Sequence, residues 1–414
     1  AGAPAEQPRA FLFSYFTRNG EDGVHLAWSK DGITWSPLNN GRSVITPAVT
    51  GAGRGWQEWD NTAALMRDPS ILQGPDGLFH LVWTISWNDH AIGVAHSKDL
   101  IHWSEQTKVP VMEHEPTALN TWAPDLFYDD ATREFVIVWS SSIPGRFPAT
   151  DSLAQKTSRG RADHRLYFTT TKDFTSYSKA KLLYDGGFCA IDGTIRKEGD
   201  TYYLVMKDET FYPERRNLRV ASAKHATGPY GPAGPAITGV HTEGPSLLKS
   251  NGWWYLYYDE YTKGKYGALR THDFVTWQPF SDSLKAARGM RHGSAFLAPQ
   301  SVLNGLLALD NSLADRRVRI FREGNGTNRS EMTAAFVQHT VQRGIVSVSG
   351  GLRFDHQTGA ALASSSAANP VFPELVPGVS FAGAPLPFAW NTVSPRLGVT
   401  VAPRWGRPVV FRAS

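Results

Sequence analysis

A short pattern that recurs five times restricts the fold of this 414-residue chain more than any other feature. An alternating strand runs into Ser, Thr or Ala, then Lys or His, usually Asp, an apolar residue, and an aromatic about three positions on. The copies read Leu26-Ala-Trp-Ser-Lys-Asp-Gly-Ile-Thr-Trp35, Gly93-Val-Ala-His-Ser-Lys-Asp-Leu-Ile-His-Trp103, Leu166-Tyr-Phe-Thr-Thr-Thr-Lys-Asp-Phe-Thr-Ser-Tyr177 and Tyr266-Gly-Ala-Leu-Arg-Thr-His-Asp-Phe-Val-Thr-Trp277. A weaker fourth copy in chain order is Leu218-Arg-Val-Ala-Ser-Ala-Lys-His-Ala-Thr-Gly-Pro-Tyr230. Their closing aromatics stand 68, 74, 53 and 47 residues apart, close to the size of a four-stranded unit with loops.

Between the copies lies a second strand type rich in aromatic and branched residues: Leu78-Phe-His-Leu-Val-Trp-Thr, Glu134-Phe-Val-Ile-Val-Trp-Ser, Thr201-Tyr-Tyr-Leu-Val-Met and Trp253-Trp-Tyr-Leu-Tyr-Tyr. Each follows a turn such as Pro75-Asp76-Gly77 or Ser250-Asn251-Gly252, as a hairpin requires. Five hairpin repeats without a helical period between them predict an all-β chain folded as a five-bladed β-propeller. A β-sandwich with coincidental Ser-Asp turns is the competing fold. Ala10–Leu38 holds strands without the opening motif of the other units, and Arg291-His-Gly-Ser-Ala-Phe296 opens a strand without a repeat ending. Joining both into one blade would close the ring and remove its open edge.

In a propeller the innermost strands line the central channel, and their first residues converge on one mouth. A carboxylate there costs several kcal/mol, of order 2–7, unless paired or solvated. Four openings carry one beside Pro or Gly: Asp68 in Arg67-Asp-Pro-Ser, Asp125 in Trp122-Ala-Pro-Asp, Asp192 in Ile191-Asp-Gly-Thr, and Glu243 in Glu-Gly-Pro-Ser. A lone acid here reads as a turn or strand cap. Acids at one register in successive blades are expected to meet in a common site.

These motifs, with Arg291-His-Gly-Ser294 after them, resemble glycoside hydrolase family 43 over about residues 10–310, in order and in spacing. The long first blade and the Gly20-Glu-Asp-Gly23 turn look like an arabinosidase-like subgroup. The resemblance implies an inverting glycosidase releasing arabinofuranosyl, or xylosyl or galactosyl, residues from plant-type polysaccharides or oligosaccharides. It makes Asp68 the general base, Glu243 the general acid, and Asp192 the neighbour that keeps the acid's pKa up and orients the sugar. Arg67, Trp122, Asp125, Arg291 and His292, in the same motifs, are the expected substrate contacts. His292 matches a channel histidine that holds water or a cation. A structural calcium in the channel is thereby admitted, though no cofactor is required. The chemistry agrees: inversion needs one ionised and one protonated carboxyl group with room for a water between, and a third acid disfavours ionisation of its neighbour.

Two alternatives share the fold: a retaining β-fructosidase-like propeller enzyme, and a propeller that binds glycan without catalysis. The first asks for a Glu-Cys acid motif and an Arg-Asp-Pro in a middle blade, whereas here the motif is Glu243-Gly244 and Arg67-Asp68-Pro69 sits in the first acid-bearing blade. The second is disfavoured because all three acids are present. Trp83, Trp87 and Trp139 fall in or just after strands and read as core. Lys207-Asp-Glu-Thr210 and His164-Arg165 are secondary candidates for the channel mouth, and Cys189 reads as a small buried residue.

With a single cysteine the chain forms no intrachain disulfide and no cysteine-rich zinc cluster. No run of ~18 apolar residues exists, so no membrane-spanning helix is expected. The net charge of +4 resides wholly in residues 340–414, which hold six Arg and two acids. No basic face interleaved with aromatics marks the rest, which argues against nucleic acid. The oligomeric state is not encoded in any motif. The opening Ala1-Gly-Ala-Pro-Ala5 suits a secreted or periplasmic protein whose signal peptide has been removed.

The expected domains are the propeller at 1–313, a linker at 314–340 and a β-rich tail at 341–414, with Asp315-Arg-Arg-Val-Arg-Ile-Phe321 as a last strand and Glu323–Ser330 as a loop. In the tail, Gly350–His356, Phe388–Thr400 and Pro408–Ala413 alternate as barrel strands do. They resemble pieces of a TonB-dependent receptor barrel, over a length far too short to close one. A remnant of a fusion or an accessory domain, including a carbohydrate-binding one, fits that tail.

Overall fold

The computed structural model describes residues 9–51, 64–154, 163–310, 328–369, 373–374, 376–385, 389–402 and 409–413. Ala1–Ala5 and Asp315–Phe321 therefore lie outside the described residues. The chain divides into two compact units, Ala1–Asp315 and Arg316–Ser414. Among the described residues no helix is long and apolar enough to cross a membrane, which says nothing of strands.

In the first unit β1 (Arg9–Phe16), β2 (His25–Ser29) and β3 (Ser36–Pro37) come first. Then follow β4 (Arg67–Gln73), β5 (Phe79–Thr84), β6 (Ile92–Ser97) and β7 (Thr107–Val109), and after them β8 (Trp122–Asp129), β9 (Glu134–Ser142), β10 (His164–Thr171) and β11 (Lys181–Tyr184). The next strands are β12 (Ala190–Glu198), β13 (Thr201–Asp208) and β14 (Asn217–Ala223), then β15 (Glu243–Ser250), β16 (Trp253–Glu260), β17 (Lys265–Thr271) and β18 (Gln278–Pro279). Last comes β19 (Arg291–Pro299). These strands make five antiparallel sheets, ordered β19-β1-β2-β3, β4-β5-β6-β7, β8-β9-β10-β11, β12-β13-β14 and β15-β16-β17-β18. The inner strands β4, β8, β12, β15 and β19 pack in sequence around a ring, each against the next. The ring closes as expected: β19 pairs with β1 from Arg9↔Pro299 to Phe16↔Arg291, so the chain's late strand becomes the inner strand of the first blade.

The repeated motif is a turn. In four copies the Asp carboxylate accepts the backbone N–H groups two and three residues on: Asp31 from Ile33 and Thr34, Asp99 from Ile101 and His102, Asp173 from Thr175 and Ser176, Asp273 from Val275 and Thr276. A hydroxyl two residues before it (Ser29, Ser97, Thr171 or Thr271) accepts the N–H of the residue after the Asp. Such side-chain mimicry of a turn is what Asp and Ser do best. The residue after the Asp adopts left-handed φ: Gly32 at 73°, Leu100 at 64°, Phe174 at 57°, Phe274 at 59°. The weak copy has His225 in place of Asp, and its blade is the one with three strands. Beyond β14, the N–H groups of Gly231, Gly234 and Ile237 bond Ser222, Val220 and Leu218, but Pro229, Pro232 and Pro235 have no N–H to complete a ladder.

The core is divided among the seams between blades. Leu12 and Leu26 meet Ile71 and Leu81; Val82 and Val94 meet Ile137 and Trp139; Val138 and Leu166 meet Ile195 and Leu204; Val205 and Leu218 meet Leu247 and Leu256; Phe13 and Trp35 meet Tyr257. Each such side chain removed from water is worth about 1.5–3 kcal/mol, so every blade is held by both neighbours. Trp83 and Trp139 are fully buried here, as expected, and so is Cys189, whose thiol is pushed well up by burial. Two helices that the repeats do not announce complete the unit: α1 (Pro148–Ala154), and α2 (Gln300–Asp310), whose Leu303 and Leu306 join the seam between the first two blades.

The second unit is an antiparallel sheet of β20 (Asn328–Arg343), β21 (Val346–Ala361), β25 (Trp390–Val401) and β26 (Val409–Ala413). A short β24 (Ala384–Pro385) pairs with β21, and β22 (Ser364–Ser366) pairs with β23 (Val379–Phe381). The strands expected in the tail are present, but the expected linker at 314–340 is not all linker. Residues 328–340 lie within β20, which is paired with β21 along its whole length. Its apolar residues are sparse and scattered among Thr, Gln and Ala, so the strand pattern is weak until its partner is known. Register puts Val337, Leu352, Phe354, Val393 and Leu397 on one face, and Arg353, Asp355 and Arg396 on the other.

Candidate active site

All five inner strands open with the same irregularity. Three steps along the inner strand oppose two on its partner, between Arg67 and Ser70, Trp122 and Asp125, Ile191 and Thr194, Glu243 and Ser246, and Arg291 and Ser294. This is a β-bulge, a device that re-aims side chains at strand ends. Its second residue is left-handed in four blades: Asp68 at φ 50°, Ala123 at 49°, Asp192 at 55° and Gly244 at 59°. Holding a non-glycine residue there costs of order 1–3 kcal/mol. Asp68, Asp192 and His292 occupy this second position and converge on the channel.

Glu243 does not share their register. It stands one residue earlier, at the place of Arg67 and Arg291, while Gly244 takes the second position. The expectation of one common register is thereby corrected. The prolines mark the true alignment: Pro69, Pro124 and Pro245 coincide, and Pro245 follows Glu243 by two residues where Pro69 follows Asp68 directly. Glycine is required at 244, because a Cβ there would lie 2.5 Å from the His292 ring.

Asp125 is also corrected. It sits at the fourth position of its bulge, where Ser70 and Thr194 donate to its two oxygens at 2.7 and 2.8 Å, and Arg196 lies 3.5 Å away. It ties three inner strands together below the mouth and does not line the cleft.

The cleft itself, of about 190 Å³, is lined by Arg67, Asp68, Trp122, Asp192, Glu243, Arg291 and His292. His292 Nδ1 lies 3.4 Å from Asp68 Oδ1 and 3.8 Å from Asp192 Oδ2. Thr84 donates to Asp68 at 2.9 Å, and the Gly244 N–H donates to Asp192 at 3.0 Å. Glu243 accepts from Lys207 Nζ at 3.0 Å and from the Arg291 guanidinium at 3.3 Å. Arg291 also donates to Asp259 at 2.9 Å.

Sequence reasoning underrated four of the surrounding groups. Lys207, fully buried at the end of β13, binds Glu243 and, at 2.6 Å, Glu209. Trp87, expected in the core, lines the cleft: Arg67 lies 4.2 Å above its ring, and Trp122 donates to its carbonyl at 2.8 Å. Asn19 accepts from both Arg67 and Trp87, at 2.7 and 3.2 Å, and sets their orientation. His164 stacks on Trp122 at 4.7 Å. Trp87 and Asn19 follow β5 and β1, so their place at the mouth is legible once the strand direction in each blade is known.

The charges sort the carboxyl groups. Burial alone would raise Asp68, but the hydrogen bond and charge of His292, with Arg67 and Thr84, hold it down at about 2. Burial raises Asp192 to about 6 against the charge of His292, with Glu243 adding to the rise. His292 is itself pushed up to about 9, because the surrounding Asp192, Asp68 and Glu243 outweigh its burial. Glu243 lies below its ordinary value: Lys207, His292 and Arg291 outweigh burial. The expectation that Glu243 holds the raised pKa is thus reversed in the free protein. Of the two, Asp192 is the one raised, because cations supplied by β13 and β19 surround Glu243.

Among the described residues no group of three or more His, Cys, Asp or Glu side chains is arranged to hold a metal. The cavity under the bulges, about 10 Å³, has room for about one water.

A family model described as "Probable glycosyl hydrolase domain", of the group related to glycoside hydrolase family 43, matches residues 6–297. An alpha-L-arabinofuranosidase of Bifidobacterium longum subsp. longum is 24% identical over 224 residues, covering 50% of this chain and 20% of its own. The chain thus spans about a fifth of that relative's length. Among solved structures, the alpha-L-arabinanase of Cellvibrio cellulosa complexed with arabinohexaose is 20% identical, with 69% of this chain and 96% of that one covered and a TM-score of 0.46. An exo-beta-1,3-galactanase of Clostridium thermocellum is 13% identical, with 86% and 66% covered and a TM-score of 0.40.

Proposed function

The chain belongs to the family of glycosyl hydrolase domains related to glycoside hydrolase family 43, and from that premise we propose that its cleft hydrolyses pentosyl or galactosyl bonds, arabinofuranosyl bonds first among them, with inversion. The observation that carries this reading is the division of protonation states. Asp68 is ionised at any physiological pH, whereas Asp192 and Glu243 together retain a proton until about pH 6. Acid–base hydrolysis of a glycosidic bond needs that asymmetry.

In this reading Asp68 accepts the proton of the attacking water. His292 and Thr84 hold its carboxylate in place, so its orientation is set before substrate arrives. Glu243 delivers a proton to the leaving oxygen, and Asp192 carries that proton at rest. Sugar hydroxyls that accept from Lys207 and Arg291 would draw those cations from Glu243 and let the proton pass to it. Arg67, clamped by Asn19 and Trp87, and Trp122, stacked on His164, frame the sugar. Polymers as substrates place the work outside the cytoplasm or in the periplasm. The second unit takes no part in this scheme.

The β-fructosidase alternative loses its support at residue 244. That chemistry asks for Cys after the acid, and a left-handed residue against the His292 ring leaves no space for it. The arabinofuranosyl preference rests on the activity for which the Bifidobacterium relative is named. The test is proton NMR of the first product formed from nitrophenyl arabinofuranosides, xylosides and galactosides. The inverted anomer on at least one of them is expected. A retained anomer would end the inverting scheme, and no turnover on any would favour a glycan-binding role.

A further inference from the structure

Beside the cleft lies a second pocket, of about 240 Å³, that the proposed reaction leaves unused. Glu209 and Phe211 line both cavities and form the partition between them. On the far side stand Phe188 from the loop before β12, Asp208 at the end of β13, and Tyr212 from the loop before β14. The acids of this pocket are already neutralised within the protein. Glu209 lies 2.6 Å from Lys207, and Asp208 lies 3.0 Å from Arg219, whose guanidinium also covers the Phe188 ring at 5.4 Å. What remains is aromatic surface interspersed with carboxylate oxygens held by Lys207 and Arg219, with Arg215 also lining the pocket.

That lining suits a neutral polyhydroxylated ring. Aromatic faces pack on the C–H faces of a sugar, and balanced carboxylates accept its hydroxyls without asking for a cation. The pocket also has a defined side. Lys207 bridges Glu209 to Glu243, at 2.6 and 3.0 Å, so the partition stands next to the proposed acid, and Asp68 is not among the pocket's lining.

We propose that this pocket is a leaving-group-side subsite that binds a second, neutral sugar residue of the substrate, so that the enzyme acts on oligosaccharide chains in preference to simple glycosides. This rests on the glycosidase reading above. Tyr212 is 60% exposed, so Tyr212→Ala spares the fold; Phe188→Leu keeps bulk and removes the ring. Each variant is expected to lower kcat/KM on arabinotriose, xylotriose or β-1,3-galactotriose, whichever is the substrate, by about 5- to 10-fold. Turnover of the matching nitrophenyl glycoside should stay within about twofold. Equal losses on both substrate types, or none on either, overturn the subsite.

Calorimetric titration of the same three trisaccharides into Glu243→Gln, with and without Tyr212→Ala, separates this proposal from the reaction. Weaker binding caused by Tyr212→Ala in a protein that hydrolyses nothing keeps the pocket and removes the glycosidase reading. Hydrolysis of a trisaccharide whose binding ignores Tyr212→Ala does the reverse, and binding of none of the three overturns the pocket.

Discussion

If Asp192 stores the proton that Glu243 delivers, then Asp192→Asn should move the alkaline limb of the pH profile down, not up. In the wild type the limb reports the pair and should fall near pH 6, where Asp192 ionises. Asparagine keeps the shape, and its amide oxygen can still accept the Gly244 N–H, so the fold has little reason to change. It stores no proton, however. Glu243 must then hold its own against Lys207 at 3.0 Å and Arg291 at 3.3 Å, with a pKa below its ordinary 4.5. At pH 7 a group at about 6 is protonated in roughly one molecule in 11, and one at or below 4.5 in at most about one in 300. The expected loss is therefore at least about 30-fold at pH 7 and at least about 4-fold at pH 5. Initial rates of kcat/KM between pH 4 and 8 on a phenyl glycoside, whose poor leaving group needs the proton, measure this directly. A limb that stays near pH 6 or rises in the variant would mean that Glu243 sets it alone, and the storage scheme would be wrong.

Asp68→Asn should cost about 10²- to 10⁴-fold in turnover at every pH and equally for good and poor leaving groups; a loss confined to poor leaving groups would reassign Asp68 to the acid. Gly244→Ala meets both a left-handed φ of 59° and the His292 ring, so it should lose more than about 1 kcal/mol of stability in urea unfolding and most activity, and a variant as stable and active as wild type would refute the bulge alignment. Burial holds His80 at about 4, with its Nδ1 2.8 Å from that of His96 and its ring stacked on Phe174. A histidine whose pKa is lower folded than unfolded contributes stability above about pH 6.5 that is lost as pH falls toward 4, here up to about 3 kcal/mol. His80→Phe should therefore lose less stability than wild type between pH 7 and 5 in urea titrations, and parallel losses would contradict this.

The fold was legible because its signal is local. The Ser-Lys-Asp turn is built from side chains and N–H groups within three residues of one another, so it survives as a string. Even the defect is readable: where His225 replaces the Asp and prolines follow, the blade stops at three strands. The linker was misjudged for the opposite reason. Nothing within residues 328–340 marks a strand; it exists because β21 offers sixteen paired residues across from it. Helix α2 is a similar case, since Leu303 and Leu306 find their reason in the seam between the first two blades.

The site was legible in kind and blurred in register. Each motif named a bulge, but the bulge contains two kinds of position, and a carboxylate's chemistry depends on which it takes. Asp68 and Asp192 at the left-handed position share one imidazolium with each other. Glu243, one residue earlier, is held instead by Lys207 of β13 and Arg291 of β19, strands of the two neighbouring blades. Asp125, two positions beyond the left-handed one, is consumed by Ser70 and Thr194 and ties blades together. Four acids that look equivalent as text thus end as a carboxylate held below its ordinary pKa, a carboxyl raised above it, a cation-bound carboxylate and a structural tie. What separates them is the slip of one ladder step and the identity of residues on neighbouring strands some twenty to two hundred positions away, which no local motif records.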